Sequence, residues 1–354
     1  MSGLRDEIHS AVLSVIDSGW WLNGNETRLL QEEFASYCGT TRAIAVANGT
    51  DALELALRSA ETESREVINT ANAGGYATTA CRIVGAIPVY VDVTERAVID
   101  IDRCIEALRP VTAAIVATHL YGNTVDIPQL LQRLAAAGRE DVVVIEDCSQ
   151  AHGANINGRR VGSMGHIGVF SFYPTKNLGA LGDAGALTTN SETLAETLLR
   201  LRQYGWETRY NSTQNYGRNS RMDEIQAAGL RIKLPHLDTW NQERRSIVGR
   251  FQQSIDASTT TMVTDTDEGV AHLAVVATED RPALVEILDA TGIGHDVHFP
   301  TLDPDQPSQQ GLPTRVEDLT MSRSLQERIL TIPCFPGMTE DEISRVESAL
   351  ATGQ

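Results

Sequence analysis

Three short stretches carry residue types that could do chemistry. The first is "SFYPTKNLGALGDAG", Ser171 to Gly185, which contains Lys176. Lysine is rare in this chain: Lys176 and Lys233 are the only two among 29 lysines and arginines. A chain that supplies positive charge with arginine has a chemical reason to place a primary amine here. An amine can lose its proton and act as a nucleophile or base, which a guanidinium cannot. The second stretch is "VVVIEDCSQAHG", with Asp147 at the carboxyl end of an apolar run, followed by Gln150 and His152. In open α/β sheets that end of a strand is where ligands bind. A carboxylate there needs a positive partner, or it simply caps the next turn. The third is "NGTDALELAL", in which a Gly-containing turn opens a helix. The first N–H groups of a helix attract anions such as phosphate, and Thr50 adds a hydroxyl. An N-cap by Asn48 or Thr50 gives the same pattern.

Each signal is weak alone. Together an anion site, a strand-end acid and a lysine match what pyridoxal phosphate requires of a protein: a phosphate cradle, a partner for the pyridine nitrogen, and an amine to form an imine.

The elements that must position these residues follow from hydrophobic periodicity. Residues 4–16 and 27–38 show helical spacing. Ile44–Ala47 reads as a strand, Asn48–Thr50 as the turn and Asp51–Ala60 as a helix. A strand at Glu66–Asn69, a helix at Tyr76–Val84 and the strand "PVYVDV" continue the alternation. A helix at 100–108, "AAIVATHL", a helix near 126–137 and "DVVVIED" follow. Apolar strands alternating with helices predict a mostly parallel sheet covered on both faces. "IGVFSF" and "AGALTT" are strands on either side of the Lys176 turn. A long helical stretch from Asp223 meets Pro235, which should end or kink it. From about 245 the pattern becomes helix, "VAHLAVVA", helix, a Pro-rich loop at 300–313 and a closing helix near Thr339. The expected architecture is a large α/β domain, residues 1–240, and a smaller α+β domain, residues 241–354.

Composition excludes several classes. The net charge of −18 argues against nucleic acid as a partner, because phosphate backbones need a basic surface. No run of 18 apolar residues exists, so no membrane span is expected, and the polar start lacks a signal-peptide core. Cys38, Cys81, Cys104, Cys148 and Cys334 form no CxxC pair, as expected of free thiols in the cytoplasm. The Asn-x-Thr triplets at Asn48 and Asn211 are then chance matches rather than glycan sites.

With these residues in view, the chain resembles the DegT/StrS family of nucleotide-sugar aminotransferases, pyridoxal phosphate enzymes of fold type I. The likeness covers nearly the whole chain, through "SGWWLNGNETRLLQEEFASYCGT", "VANGTDALELAL", "THLYGNTVDIPQL", "IEDCSQAHGA", "SFYPTKNLGALGDAGAL" and "GRNSRMDEIQAAGLRIKLPHLDTWNQERR". The resemblance implies roles where residues match. Lys176 would be the Schiff-base lysine and Asp147 the partner of the ring nitrogen. Gln150 would lie near the phenolic oxygen, and Gly49, Thr50 and Ser171 would hold the phosphate. Asn219 would reach the phosphate of a neighbouring subunit, which implies a homodimer with shared active sites. The cofactor would cycle between pyridoxal 5′-phosphate and pyridoxamine 5′-phosphate. The amino donor would be L-glutamate and the acceptor a nucleotide-linked keto sugar. Arg209, Arg218 and Arg221 are candidates for its diphosphate, with His298 as a further substrate contact; taken singly, each arginine reads first as a solvated surface charge.

The chain departs from the family pattern in three places. It begins without the usual "VPFLDL"-like segment. In "NAGGYATTA" Gly75 stands where a ring-stacking aromatic is usual, leaving Tyr76 as the nearest ring, for the cofactor or for the core. In "HFPTLDPDQPS" His298 is kept in kind and the second histidine is absent. "LRQYGWETRY" and the short length are more similar to enzymes of dTDP-3-keto-6-deoxyhexoses than to the longer 4-keto enzymes. Acceptors with a 4-keto group and cyclitols stay open as alternatives. Lys176 argues against the sugar 3-dehydratase branch, which has His there. A non-catalytic cofactor-binding regulator on the same fold is the reading from another class, and an intact Lys176/Asp147 pair speaks against it.

Overall fold

The computed structural model describes residues 4–352. In chain order the strands are β1 Arg42–Val46, β2 Glu66–Thr70, β3 Ile87–Val91, β4 Thr112–Thr118, β5 Val143–Asp147, β6 Asn155–Ile156, β7 Arg159–Arg160, β8 Ile167–Ser171, β9 Gly185–Thr189, β10 Trp206–Thr208, β11 Asn211–Ser212, β12 Thr260–Met262, β13 Ala274–Thr278, β14 Arg315–Val316 and β15 Ile329–Ile332. The helices are α1 Arg5–Ser18, α2 Asn25–Cys38, α3 Gly49–Ser59, α4 Tyr76–Val84, α5 Ile101–Glu106, α6 Ile127–Ala136, α7 Glu192–Leu201, α8 Glu224–Lys233, α9 Leu237–Ser254, α10 Arg281–Ala290, α11 Thr320–Arg328 and α12 Glu340–Thr352.

Eight strands form the main sheet in the order β1-β9-β8-β5-β4-β2-β3-β14. Only β9 runs antiparallel to its neighbours; the rest share one direction. The apolar runs of β4 and β5 suit strands buried on both faces. In β4, Ala114 and Val116 enter one buried cluster, whereas Ile115 and Ala117 enter another on the opposite face. The α/β architecture with a mostly parallel sheet is the one the alternation predicts.

Pro235 acts as expected. α8 stops at Lys233, a single 3-10 turn covers Leu234–His236, and α9 starts at Leu237. A second sheet, β12-β13-β15, is antiparallel throughout. Its core packs Phe251 of α9, Leu284 and Leu288 of α10, and Val346 and Leu350 of α12. Leu120 and Tyr121, just past β4, pack with Val275 and Ile329 of this sheet. The segment after the second sheet's β13 crosses back: its β14 pairs with β3 at the edge of the main sheet. None of the described helices is long and apolar enough to cross a membrane.

Candidate active site

The carboxyl ends of β4, β5 and β8 meet the start of α3 and enclose a cavity of about 1150 Å³. Gly49, Thr50, Tyr76, Asp147, Gln150, Ser171, Lys176 and His298 all line it.

The α3 end of the cavity is built by close approach. Asn48 caps the helix, its carboxamide oxygen accepting the Asp51 N–H at 2.8 Å. The first N–H groups of the helix then have no acceptor within it. A Cβ at Gly49 would lie 2.6 Å from Cβ of Ser171, so only glycine lets the helix start this close to the end of β8. A Cβ at Gly185 would likewise meet the Asn48 carbonyl at 2.5 Å.

Lys176 sits in the turn after β8. Its N–H donates to the Tyr173 carbonyl at 2.8 Å, and the Ala180 N–H donates to Phe172 at 2.7 Å. The chain folds back so tightly that a Cβ at Gly179 would lie 2.4 Å from the Pro174 carbonyl oxygen. Burial pushes the Lys176 ammonium down to about 8, while the Asp147 carboxylate pulls the other way. Asp147 is buried, and its carboxylate accepts the Ser149 N–H at 3.1 Å.

The neighbouring groups are mostly committed. Gln150 accepts the Tyr121 N–H at 2.7 Å through Oε1, which pins a turn whose Tyr121 has φ 61°. Tyr76 opens α4 after Gly75, and its ring meets Phe299 edge-on, centroids 6.3 Å apart. His298 is half-buried, with Nδ1 3.0 Å from Thr331 Oγ1. His152 lies against Phe170 and Phe172, 5.6 Å from each. Burial, and then Lys176, pushes it down to about 3, so it stays uncharged.

The arginines and Asn219 stand apart from this cavity. Arg209 stacks on Tyr210, 4.8 Å from the ring centroid, in the exposed β10–β11 hairpin. Arg218 pairs with Asp51 at 3.1 Å and with Glu54. Arg221 is half-buried and Asn219 exposed. None of the four lines the cavity of a single chain.

Several residues that sequence reasoning missed complete the walls. Asn177, next to Lys176, donates to Asn241 Oδ1 at 2.8 Å and to the Val270 carbonyl at 3.1 Å. Its own Oδ1 is 2.9 Å from Nδ1 of His272. His272 is pushed well below the usual imidazole range by burial and then by Lys176. Lys233, the other lysine, also lines the cavity and donates to the Gly179 carbonyl at 2.6 Å. Its rarity was a signal available in the sequence. The Asn177–His272–Asn241 contacts span 64 and 95 residues and left no local trace.

Behind β5, Glu146, His119 and Cys148 place their ligand-type atoms within 4.8 Å of one another. Glu146 accepts the N–H groups of Gly162, Met164 and Gly165 at 2.9, 2.8 and 2.6 Å, besides facing His119 Nε2 at 3.3 Å. His119 Nδ1 accepts from the Val125 N–H at 3.0 Å, which leaves the ring proton on Nε2, facing Glu146. Carboxylate and imidazole are thus occupied by the protein's own donors, and the cluster holds the strand end that carries Asp147.

Comparison with known proteins agrees with this geometry. Residues 3–351 match the DegT/DnrJ/EryC1/StrS aminotransferase family. The dTDP-3-amino-3,4,6-trideoxy-alpha-D-glucose transaminase of Streptomyces venezuelae is 37% identical, over 98% of this chain and 92% of its own. The dTDP-3-amino-3,6-dideoxy-alpha-D-galactopyranose transaminase of Aneurinibacillus thermoaerophilus is 39% identical, over 98% and 95%. Among solved structures, S. venezuelae DesV in complex with a ketimine intermediate superposes with a TM-score of 0.94 at 36% identity, covering 99% of this chain and 95% of that one. This chain belongs to the DegT/DnrJ/EryC1/StrS aminotransferase family, and its cofactor is pyridoxal 5′-phosphate. The cavity fits that group. Asp147 has acceptor capacity left for a ring N–H, the glycine-bared start of α3 faces Ser171, and a lysine amine lowered by burial lines the same cavity.

Proposed function

We propose that this aminotransferase moves an amino group from L-glutamate to a nucleotide-linked keto-deoxysugar, at C3 of a dTDP-3-keto-6-deoxyhexose. One observation carries the reading: a single cavity joins Lys176 and Asp147 to a glycine-bared helix start, in a chain whose relatives at 37% and 39% identity are named as transaminases of 3-amino dTDP sugars.

When bound, pyridoxal phosphate supplies a reactive aldehyde carbon and a ring that accepts electrons. Lys176 Nζ would be the amine that holds the cofactor. With the donor in place, the neutral Lys176 amine would be the base that takes the proton from the donor's α-carbon. The lowered pKa of Lys176 supports this role, because a base must be neutral near the working pH. Asp147 would hold a proton on the ring nitrogen, and its burial would strengthen that pairing. Gly49, Thr50 and Ser171 orient the phosphate through backbone N–H and hydroxyl donors. Gln150 would meet the phenolic oxygen, and Tyr76 would contribute a ring to the wall of the cofactor site. His298 meets the sugar.

Asn219, Arg209, Arg218 and Arg221 serve a neighbouring subunit's site in this reading. Its support is their position outside the single-chain cavity and the exposed rings of Trp20, Trp21 and Tyr210, at 65%, 60% and 74%. We read the assembly as a homodimer, with residues 1–240 as the cofactor domain and 241–354 as the smaller one. Five free cysteines suit a cytoplasmic enzyme.

The reverse reaction tests the substrate. Purified enzyme, 2-oxoglutarate and a panel of dTDP-amino sugars are mixed, and glutamate is measured. Turnover is expected with a 3-amino-6-deoxyhexose. Turnover on 4-amino sugars alone would overturn the position.

A further inference from the structure

Asp303 lies in the segment between α10 and β14, shortly after His298. It is 0% exposed, and no cation among the described residues pairs with it. A buried carboxylate without a counter-ion is costly, and a neutral cap would fill the space at less expense. What it does hold is specific. Its Oδ1 accepts the Gly75 N–H at 2.9 Å, and its Oδ2 accepts from Thr78 Oγ1 at 3.1 Å. Thr78 Oγ1 is in turn 2.9 Å from the Tyr90 hydroxyl. The backbone of Asp303 is tied down as well, its N–H donating to the Ala71 carbonyl at 2.7 Å.

Both ends of Ala71–Thr78 are therefore gripped by one residue. Between them stand Gly74 and Gly75, at φ 78° and 81°. Two successive glycines are the most permissive backbone pair, so this turn does not hold its own shape. It carries Tyr76, whose ring lines the cavity with Phe299. A Cβ at Gly74 would lie 2.8 Å from the Phe299 ring, so hinge and ring are in direct contact. A Cβ at Gly75 would meet nothing within 4 Å. The family's aromatic position is thus open space, and the wall depends on Tyr76 and Phe299 instead. Burial pushes the Asp303 carboxyl up to about 7, in keeping with a group retained against its desolvation cost.

We propose that Asp303 is a positioning residue: it locks the Gly74–Gly75 hinge and so holds Tyr76 and Phe299 as the cavity wall that meets the cofactor ring. This rests on the reading of the cavity as the pyridoxal phosphate site, and not on the identity of the sugar.

The test reads cofactor affinity by absorbance titration of apoenzyme, without any sugar, for Asp303→Ala, Tyr76→Ala, the double variant and Asp303→Asn, with melting temperatures alongside. Asp303→Ala should weaken cofactor binding on the order of 10-fold. If Asp303 acts through Tyr76, the double variant should be weaker than Tyr76→Ala alone by less than about 2-fold, because coupled sites are not additive. Asp303→Asn keeps an acceptor for Gly75 and should recover to within about 3-fold of the parent. It also keeps the test alive should the alanine variant fail to fold. A drop in melting temperature with cofactor affinity held within 2-fold in Asp303→Ala would overturn the proposal, as would fully additive losses in the double variant. An acceptor sugar of another class leaves this result untouched.

Discussion

On the proposed reading, Lys176 must be an uncharged amine to capture the cofactor's aldehyde, and its surroundings set the pH at which that happens. Burial lowers its pKa from 10.5 to about 8, in opposition to Asp147, whose carboxylate favours the ammonium. An ordinary lysine is neutral in about one molecule per 10³ at pH 7.5, whereas a group with a pKa of about 8 is neutral in roughly a quarter. The pocket therefore raises the reactive fraction on the order of 200-fold. Stopped-flow mixing of apoenzyme with pyridoxal phosphate, followed by absorbance from pH 6 to 10, measures this. The capture rate should climb nearly tenfold per pH unit, bend near 8 and flatten. Asp147→Asn removes the opposing carboxylate, so the bend should move to lower pH. The sign also governs apoenzyme stability. Here the folded pKa is depressed, so the ammonium's cost is fully present below about 8. It is relieved as pH rises toward 10.5, where only the unfolded chain still binds the proton. A bend near 10.5, or an upward shift in Asp147→Asn, would refute the reasoning.

Three further outcomes follow. Glu146→Ala strips the acceptor from three backbone N–H groups and His119, and should cost about 3–5 kcal/mol in urea unfolding; a loss below about 1 kcal/mol would show the hub to be dispensable. Asn177→Leu breaks the ties to Asn241, Val270 and His272 that anchor the Lys176 turn, so kcat should fall by roughly 10- to 100-fold with the sugar's KM little changed, whereas a change confined to KM would contradict that role. Trp21→Glu places a charge on a ring surface that is 60% exposed in one chain and assigned here to the dimer; light scattering should report a monomer, and an unchanged dimer would remove that surface from the interface.

Much of this enzyme was legible before folding. Alternating apolar strands and helices report the local backbone state, so the parallel sheet, the start of α3 and the break at Pro235 were readable from spacing. Lys176 was marked by its rarity, and Asp147 by standing at the end of an apolar run. These are properties of a residue and its near neighbours, which is the range over which sequence pattern carries information. The sheet order, and β14 docking on β3 from more than two hundred residues away, were not readable, because strand pairing is decided by which edges remain open once the cores are filled. The same limit hid Asp303. It read as one acid in a Pro-rich loop until folding brought it beneath the N-terminus of α4 and took away its water. The sequence by itself determined the chemistry available to this chain: one amine and one acid on a strand–turn–helix frame. Only the tertiary structure decided what holds them in place, because burial and long-range hydrogen bonds belong to the packed whole.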